Sequence, residues 1–148
     1  MTYSDAVRFL YRLVNHERTL NYKYENAFKL DRVHYMLRAL GDPHKSFPSV
    51  HVAGTKGKGS TAAMVASVLG RAGYKVGLYT SPHLVSFKER IRTDGRKISE
   101  EEFSRLIAEV SPLVTFSLEG RSSHSFFDVL TAVAFLHFRR EGVDWAVV

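Results

Sequence analysis

A glycine-rich stretch that follows a short β-rich run and precedes a helical pattern most strongly limits how this chain can fold. Residues 54–61 read Gly-Thr-Lys-Gly-Lys-Gly-Ser-Thr and come directly after the run 49–53. Apolar and small residues then recur at helical spacing over residues 62–72, and Gly73 is a stop signal. Residues 75–80 are a second β-rich run. Strand, loop, helix and strand within about thirty residues predict a βαβ unit of a parallel sheet with a right-handed crossover.

The rest of the chain alternates helical and β-compatible patterns. Helices are predicted at residues 4–16 and 31–40, and starting at Ser99 and at Ser125. Pro112 is expected to end or kink the helix that starts at Ser99. Asp94-Gly95 lies between two short β-compatible runs, which predicts a hairpin, and residues 143–148 predict a third parallel strand. Together these patterns predict an α/β fold in which helices flank a parallel sheet.

The composition narrows the class of protein further. With 148 residues and 45% hydrophobic content, the chain can form one compact domain with a real core. Cysteine is absent, which excludes disulfides, thiolate metal sites and a cysteine nucleophile. Neither a signal-peptide pattern nor a run of about 20 apolar residues is present, so no membrane partner is expected and a cytoplasmic location is the expectation.

The positive charge of the chain is concentrated in its middle third. Residues 51–98 contain nine Lys and Arg against two Asp and Glu, a net charge of +7. Such a segment favours an anionic partner, which could be a nucleotide, a polycarboxylate or a nucleic acid, although a solvated basic face would have the same composition. A nucleic-acid-binding module is the weaker alternative, because the segment has no recognisable reader motif and no interleaved stacking aromatics.

The glycine-rich stretch has the residues that a phosphate-binding loop needs. Glycines let backbone N–H groups turn toward phosphates, a lysine reaches the terminal phosphates, and a helix N-terminus favours the anion. The candidate nucleotide-binding residues are Gly54, Thr55, Gly57, Lys58, Gly59, Ser60 and Thr61. Two positions depart from the general Walker pattern, since Val52 occupies the place of its first glycine and Gly59 that of its Mg²⁺-binding hydroxyl. A glycine-rich turn without a ligand is the alternative.

Three motifs in order strongly resemble the N-terminal domain of folylpolyglutamate synthases and dihydrofolate synthases, members of the Mur ligase superfamily. They are HVAGTKGKGST at 51–61, GLYTSPHL at 77–84 and FKERI at 87–91, and the resemblance extends over residues 30–148. Lys56 stands where the family most often has asparagine. The resemblance implies a Mur ligase central-domain fold, with residues 1–148 forming an N-terminal ATP-binding domain that is incomplete at its C-terminus and lacks the second domain.

By the same resemblance, Lys58 binds the phosphates of ATP as the catalytic lysine, and Ser81 ligates Mg²⁺, which would explain why Gly59 can lack a hydroxyl. Without the resemblance, Thr80-Ser81-Pro82 is an ordinary turn at the end of a strand.

The resemblance also implies folate-binding residues. The candidates are His83, Lys88, Arg90, Ser125 and Phe127. Lys88 and Arg90 are expected to meet carboxylates or phosphate, and Phe127 to stack on the pterin ring. The alternatives are a solvated basic loop for the first group and a core position for one or both of Phe126 and Phe127.

The implied reaction is ATP-dependent amide ligation. ATP activates the γ-carboxylate of folate as an acyl phosphate, which the amino group of glutamate attacks; dihydropteroate is the other possible acceptor. A metal-binding glutamate, a histidine ligand and a carbamylated lysine are expected after Val148, so the chain alone is expected to be inactive and to need the missing C-terminal domain. Another Mur-type ligase is the alternative within the enzyme class, and the residues leave open whether the activity is folylpolyglutamate synthase, dihydrofolate synthase or both.

Overall fold

The computed structural model describes residues 1–14, 30–114 and 124–148, which form two compact units. The first unit comprises Met1–Asp42 and Glu101–Val133, and the second comprises Pro43–Glu100 and Ala134–Val148. The helices are α1 (Tyr3–Tyr11), α2 (Leu30–Ala39), α3 (Lys58–Arg71), α4 (Glu100–Val110) and α5 (Phe126–Glu141). The strands are β1 (Ser49–Val50), β2 (Val76–Tyr79), β3 (Ile91–Thr93), β4 (Arg96–Lys97) and β5 (Trp145–Val147). Within these ranges of the chain, no helix combines the length and the apolar character needed to cross a membrane.

The first unit is helical. Its helix α1 begins with a capping box, in which Thr2 Oγ1 accepts from Asp5 N at 3.2 Å and Asp5 Oδ2 accepts from Thr2 N at 3.1 Å. The hydrogen bonds from Thr2 lower the pKa of Asp5. The helix ends at Tyr11, earlier than its apolar spacing predicts, and residues 15 and 16 of the predicted helix lie outside the described residues.

Apolar residues at helical spacing form the core of this unit. The fully buried side chains include Leu10, Met36, Phe103, Leu106, Ile107, Val110 and Leu130. The ring of Tyr3 meets Phe103 edge-on at 5.6 Å. The prediction for Pro112 is confirmed, because α4 ends at Val110 and Pro112 lies in a 3-10 turn.

The second unit is built on a mixed five-stranded sheet of order β1-β5-β2-β3-β4. Strands β1, β5 and β2 are parallel, which confirms the predicted third parallel strand, whereas β3 and β4 are antiparallel. The last strand in the chain, β5, lies between β1 and β2, so the two strands of the predicted βαβ unit are not neighbours in the sheet. The predicted hairpin is confirmed, with Asp94 at φ 49° and Gly95 at φ 75°, as expected for a tight turn with two left-handed residues.

Helices cover both faces of this sheet. On one face, Ala62 of α3 packs with Val76 and Val147. Successive residues of a strand point to opposite faces, so Gly77 faces away from α3 and lies against the ring of Phe138 in α5. The predicted α/β fold with helices flanking the sheet is therefore confirmed, although the sheet is not parallel throughout.

Candidate functional site

The glycine-rich loop connects β1 to α3. The chain stays in the sheet as far as Val52, whose N–H donates to Val148 O at 2.7 Å. Gly57 is the N-cap of α3 with φ 76° and ψ 0°, a left-handed conformation that favours glycine. Helix α3 begins at Lys58, four residues earlier than the apolar spacing indicates, because its first turn consists of polar residues and glycine, which carry no helical hydrophobic signal.

The first turn of α3 presents backbone N–H groups that the helix does not use. Thr61 N donates to Gly57 O at 2.9 Å, the first bond of the helix. Within the part of the chain that the structure describes, the amides of Lys58, Gly59 and Ser60 have no acceptor. Amides of this kind, together with the positive end of the helix dipole, are what a phosphate-binding helix N-terminus provides.

Lys58 lies over the loop that precedes it. Its Nζ donates to Gly54 O at 2.7 Å, and both residues are exposed. The amine is therefore held at the mouth of the loop by a single backbone carbonyl. This contact brings together the first glycine of the stretch and the lysine predicted to bind phosphates.

Ser81 follows the end of β2 and lies near the start of α3. A groove of about 990 Å³ in the second unit is lined by Gly59 and Ala63 of α3 and by Thr80, Ser81 and Pro82. A Cβ added at Gly59 would meet no atom within 4 Å, so the space beside this glycine is open. The structure thus places the predicted metal-binding hydroxyl and the glycine that replaces the Walker hydroxyl along one groove.

Three positive side chains contribute to the wall of the same groove. Arg71, Lys75 and Arg92 contribute to its wall, against one carboxylate, that of Asp94. Lys75 pairs with Glu141 at 3.0 Å, and Asp94 Oδ1 accepts from Val76 N at 2.9 Å. Part of the basic excess of the middle third therefore borders the groove.

The loop after Ser81 is tied together by side chains of its own. Arg90 is 2% exposed, and its Nε donates to His83 Nδ1 at 2.8 Å. The ring of His83 lies 4.3 Å from that of Phe87. Lys88 donates to Glu100 at 2.7 Å. Because Arg90 is buried, the alternative of a solvated basic loop is wrong for this residue.

Glu89 has a role in this loop that the sequence analysis missed. Its carboxylate accepts hydrogen bonds from the backbone N–H groups of Leu84, Val85 and Ser86. The hydrogen bond from Leu84 is the main cause that lowers the pKa of Glu89; those from Ser86 and Val85 and the charge of Lys97 add to it, and burial opposes it. The signal was present in the chain, since a serine followed three residues later by glutamate is the capping-box pattern.

Ser125 and Phe127 lie in the first unit, at the start of α5. Ser125 N donates to Asp128 Oδ2 at 2.8 Å, and Asp128 N donates to Ser125 Oγ at 3.2 Å, which fixes this helix start. Phe126 is 2% exposed and Phe127 is 44% exposed. The expectation that at least one of the two rings is core is confirmed for Phe126, and the ring predicted to stack is the exposed one.

A magnesium ion bound to the described part of this chain would have few protein ligands. Among residues 1–14, 30–114 and 124–148, no three His, Asp or Glu side chains cluster in a way that could hold a metal. Mg²⁺ commonly uses one or two protein ligands together with water and substrate phosphates. The hydroxyl of Ser81, which lines the same groove as Gly59 of α3, fits that donor set.

Comparison with known proteins agrees with this geometry, although no protein-family model matches the chain. A Haloferax volcanii protein named probable bifunctional folylpolyglutamate synthase/dihydropteroate synthase is 40% identical over 148 residues, which are 100% of this chain and 17% of that protein. The dihydrofolate synthase/folylpolyglutamate synthase of Bacillus subtilis is 42% identical over 110 residues, 74% of this chain and 26% of that protein. A solved structure of folylpolyglutamate synthase in complex with AMPPCP and folate is 32% identical with a TM-score of 0.82, over 100% of this chain and 35% of that one.

The fold and the loop define an α/β domain of the Mur ligase central-domain type, with a glycine-rich loop between a strand and a helix. More particularly, the chain is a homologue of the folylpolyglutamate synthases and dihydrofolate synthases, as its three motifs predict. It spans 17% to 35% of the length of these three relatives.

Proposed function

We propose that this chain forms the ATP-binding part of a ligase that adds glutamate to folate. The observation that carries the proposal is the start of α3, where Lys58 lies over the glycine-rich loop, three amides have no acceptor among the described residues, and Gly59 lines a groove that Ser81 also lines. A relative of the same fold is described in complex with AMPPCP and folate. The net charge of +7 in residues 51–98 suits both a nucleotide and a polycarboxylate.

In this proposal, the start of α3 holds the phosphates of ATP. The amides of Lys58, Gly59 and Ser60 donate to phosphate oxygens, and the helix dipole favours their negative charge. The amine of Lys58 exchanges its hydrogen bond with Gly54 O for a charge-assisted bond to phosphate. The hydroxyl of Ser81 is a ligand for Mg²⁺, which would supply charge neutralisation at the transferring phosphoryl group.

The proposed chemistry has two steps, phosphoryl transfer to the carboxylate and then amide formation. A γ-carboxylate oxygen of folate attacks the γ-phosphorus of ATP, the bond from that phosphorus to the β,γ-bridging oxygen breaks, and an acyl phosphate and ADP result. The amino group of glutamate then attacks the acyl carbon, an amide forms and phosphate leaves. The main barrier is the approach of an anionic carboxylate to crowded phosphates, which Lys58 and the loop amides lower by neutralising charge.

The remaining candidate residues would bind the folate. We propose that the charges of Lys88 and Arg90 attract its carboxylates, with His83 accepting a hydrogen bond from the buried Arg90. Separately, we propose that the exposed ring of Phe127 stacks on the pterin, with Ser125 nearby in the chain. Because the chain spans at most about a third of the three compared relatives, we propose that glutamate binding and the other catalytic groups come from outside these 148 residues. The chain alone should then bind ATP weakly and catalyse no ligation.

Titration calorimetry with ATP and Mg²⁺ tests the nucleotide site on this chain. Lys58→Ala should weaken binding by about tenfold or more, as expected for the loss of a charge-assisted hydrogen bond. Lys56→Ala is a matched control, because it removes the same charge from an exposed residue of the same loop. Equal losses of ATP affinity in the two variants would show that Lys58 acts only through its charge and not through a direct bond to phosphate, which would contradict its assigned role.

A phosphate-release assay tests the ligase itself. The full-length gene product should consume ATP only when folate acceptor and glutamate are both present, and the 148-residue chain should not. Dihydropteroate and tetrahydrofolate as separate acceptors distinguish dihydrofolate synthase from folylpolyglutamate synthase. A full-length product that ignores both acceptors would contradict the proposed substrate.

A further inference from the structure

One carboxylate holds three successive backbone amides in the loop that follows Ser81. Glu89 Oε2 accepts from Leu84 N at 2.9 Å, while Oε1 accepts from Ser86 N at 3.0 Å and from Val85 N at 3.3 Å. The side chain of Glu89 is only 17% exposed. Three amides turned onto one carboxylate define a loop whose backbone shape depends on a single side chain.

The side chains at the tip of this loop do not fix its shape. Leu84 is 92% exposed and Val85 is 89% exposed, so neither contributes a packed core to the loop. An exposed apolar pair is unfavourable in water, and a loop free to rearrange would tuck such side chains against the protein. The carboxylate of Glu89 therefore replaces packing as the force that holds the tip outward.

The two ends of the loop lie at residues assigned to the reaction. Ser81, which lines the groove beside α3, comes just before it, and at its far end the buried Arg90 is hydrogen-bonded to His83. Glu89 is the neighbour of Arg90 in the chain, and its own carbonyl accepts from Arg92 Nε at 3.3 Å. A change in the position of Glu89 would thus be passed to Arg90 and, through its hydrogen bond, to His83.

We infer that Glu89 is a positioning residue for the folate acceptor, whose carboxylate fixes the backbone of residues 84–86 and thereby sets the placement of His83 and Arg90. The inference rests on the proposed function for the identity of that substrate, but the clamp itself does not depend on it. The pKa of Glu89, lowered by the same three amides, keeps the carboxylate ionised near neutral pH, and Lys97 Nζ lies 3.9 Å from Glu89 Oε1.

Only a carboxylate satisfies all three amides, which makes glutamine a sharp probe. In Glu89→Gln, the amide oxygen can take the place of Oε1 and keep Val85 and Ser86, but the NH₂ group then faces the N–H of Leu84. In Glu89→Ala, all three bonds are lost. Glu101→Gln is the control, since it removes one negative charge from an exposed residue of α4.

Amide hydrogen exchange followed by NMR on the 148-residue chain, without nucleotide or folate, tests the clamp. Glu89→Gln should speed exchange at Leu84 by about tenfold or more and change Val85 and Ser86 less, whereas Glu89→Ala should speed all three. Glu101→Gln should leave them as they are. Unchanged exchange at all three amides in Glu89→Ala, with the amides of the sheet still protected, would overturn the inference.

Steady-state kinetics of the full-length gene product tests the positioning role. Glu89→Gln should raise KM for the folate acceptor several-fold and leave KM for ATP near its normal value. A merely structural defect would instead lower the active fraction, and hence kcat, with both KM values unchanged; that result overturns the positioning role. If the unaltered full-length protein shows no folate-dependent ATP consumption, the proposed function fails, and the exchange experiment still decides the clamp.

Discussion

Adding one methyl group at Gly77 should destabilise the second unit, because the ring of Phe138 occupies the space that a Cβ would need. An ideal Cβ at Gly77 would lie 2.6, 2.7 and 2.8 Å from three atoms of that ring. Carbon atoms in contact normally lie about 3.5–4.0 Å apart, so the ring or the strand must move by about 1 Å. Phe138 is fully buried and meets Phe47 edge-on at 6.1 Å, which leaves the ring little freedom to shift.

The size of the effect follows from two opposing contributions. Overpacking of a buried site typically costs about 1–3 kcal/mol. Replacing glycine by alanine in a strand restricts the unfolded chain and returns about 0.5–1 kcal/mol. The central values of these contributions, about 2 and about 0.75 kcal/mol, leave a net loss of about 1 kcal/mol in the free energy of unfolding of Gly77→Ala.

Urea denaturation of the 148-residue chain measures this change. Gly70→Ala is the matched control, because Gly70 lies in α3 and a Cβ there would meet no atom within 4 Å; its stability should be unchanged or slightly raised. Phe138→Leu combined with Gly77→Ala should recover part of the loss in a double-mutant cycle. If Gly77→Ala is as stable as the original chain, the close packing of β2 against α5 is refuted.

Two further predictions concern the metal ligand and the clamp. Ser81→Ala should lower the affinity for Mg²⁺ by about ten- to a hundredfold, so that Mg²⁺ no longer strengthens ATP binding as much, while ATP binding in EDTA is unchanged. Calorimetry with and without Mg²⁺ measures both affinities. An undiminished effect of Mg²⁺ on ATP binding would contradict the role of Ser81. Because the pKa of Glu89 is lower in the folded chain than its ordinary value of 4.5, its contribution to stability is present above pH 4.5 and is lost as the pH falls through the folded pKa. The difference in the free energy of unfolding between the original chain and Glu89→Gln, measured by urea denaturation, should therefore be largest near pH 7 and become smaller in strong acid. A difference that does not depend on pH would show that the ionised carboxylate is not its source.

Much of the fold could be predicted because the local signals agree with the final packing. The left-handed pair Asp94-Gly95 forms the turn that this dipeptide favours, and Pro112 stops α4 where proline cannot continue a helix. The insertion of β5 between β1 and β2 could not be predicted in the same way. Strand order depends on contacts between distant parts of the chain, which no local spacing records.

The same distinction between local signals and contacts that depend on the folded chain applies to the candidate site. The start of α3 is a local feature, since glycines and a lysine in sequence order are enough to indicate it. The burial of Arg90 and the clamp of Glu89 depend on how a loop folds back on itself, and composition alone makes that loop look like a solvated basic segment. A charged residue that is buried with hydrogen-bond partners has the same sequence signal as one in water.

The departure from the Walker pattern at Gly59 can be related to the position of Ser81 in the structure. A glycine at this place removes the hydroxyl that usually binds Mg²⁺, and a strict reading of the motif would reject a metal site. The structure places Ser81, at the end of β2, along the groove that Gly59 also lines. A Cβ at Gly59 would meet no atom within 4 Å, so the space beside this glycine is open. If Ser81 has its proposed role, the missing hydroxyl at Gly59 and the Thr-Ser-Pro turn form one arrangement, in which the strand and not the helix supplies the metal ligand.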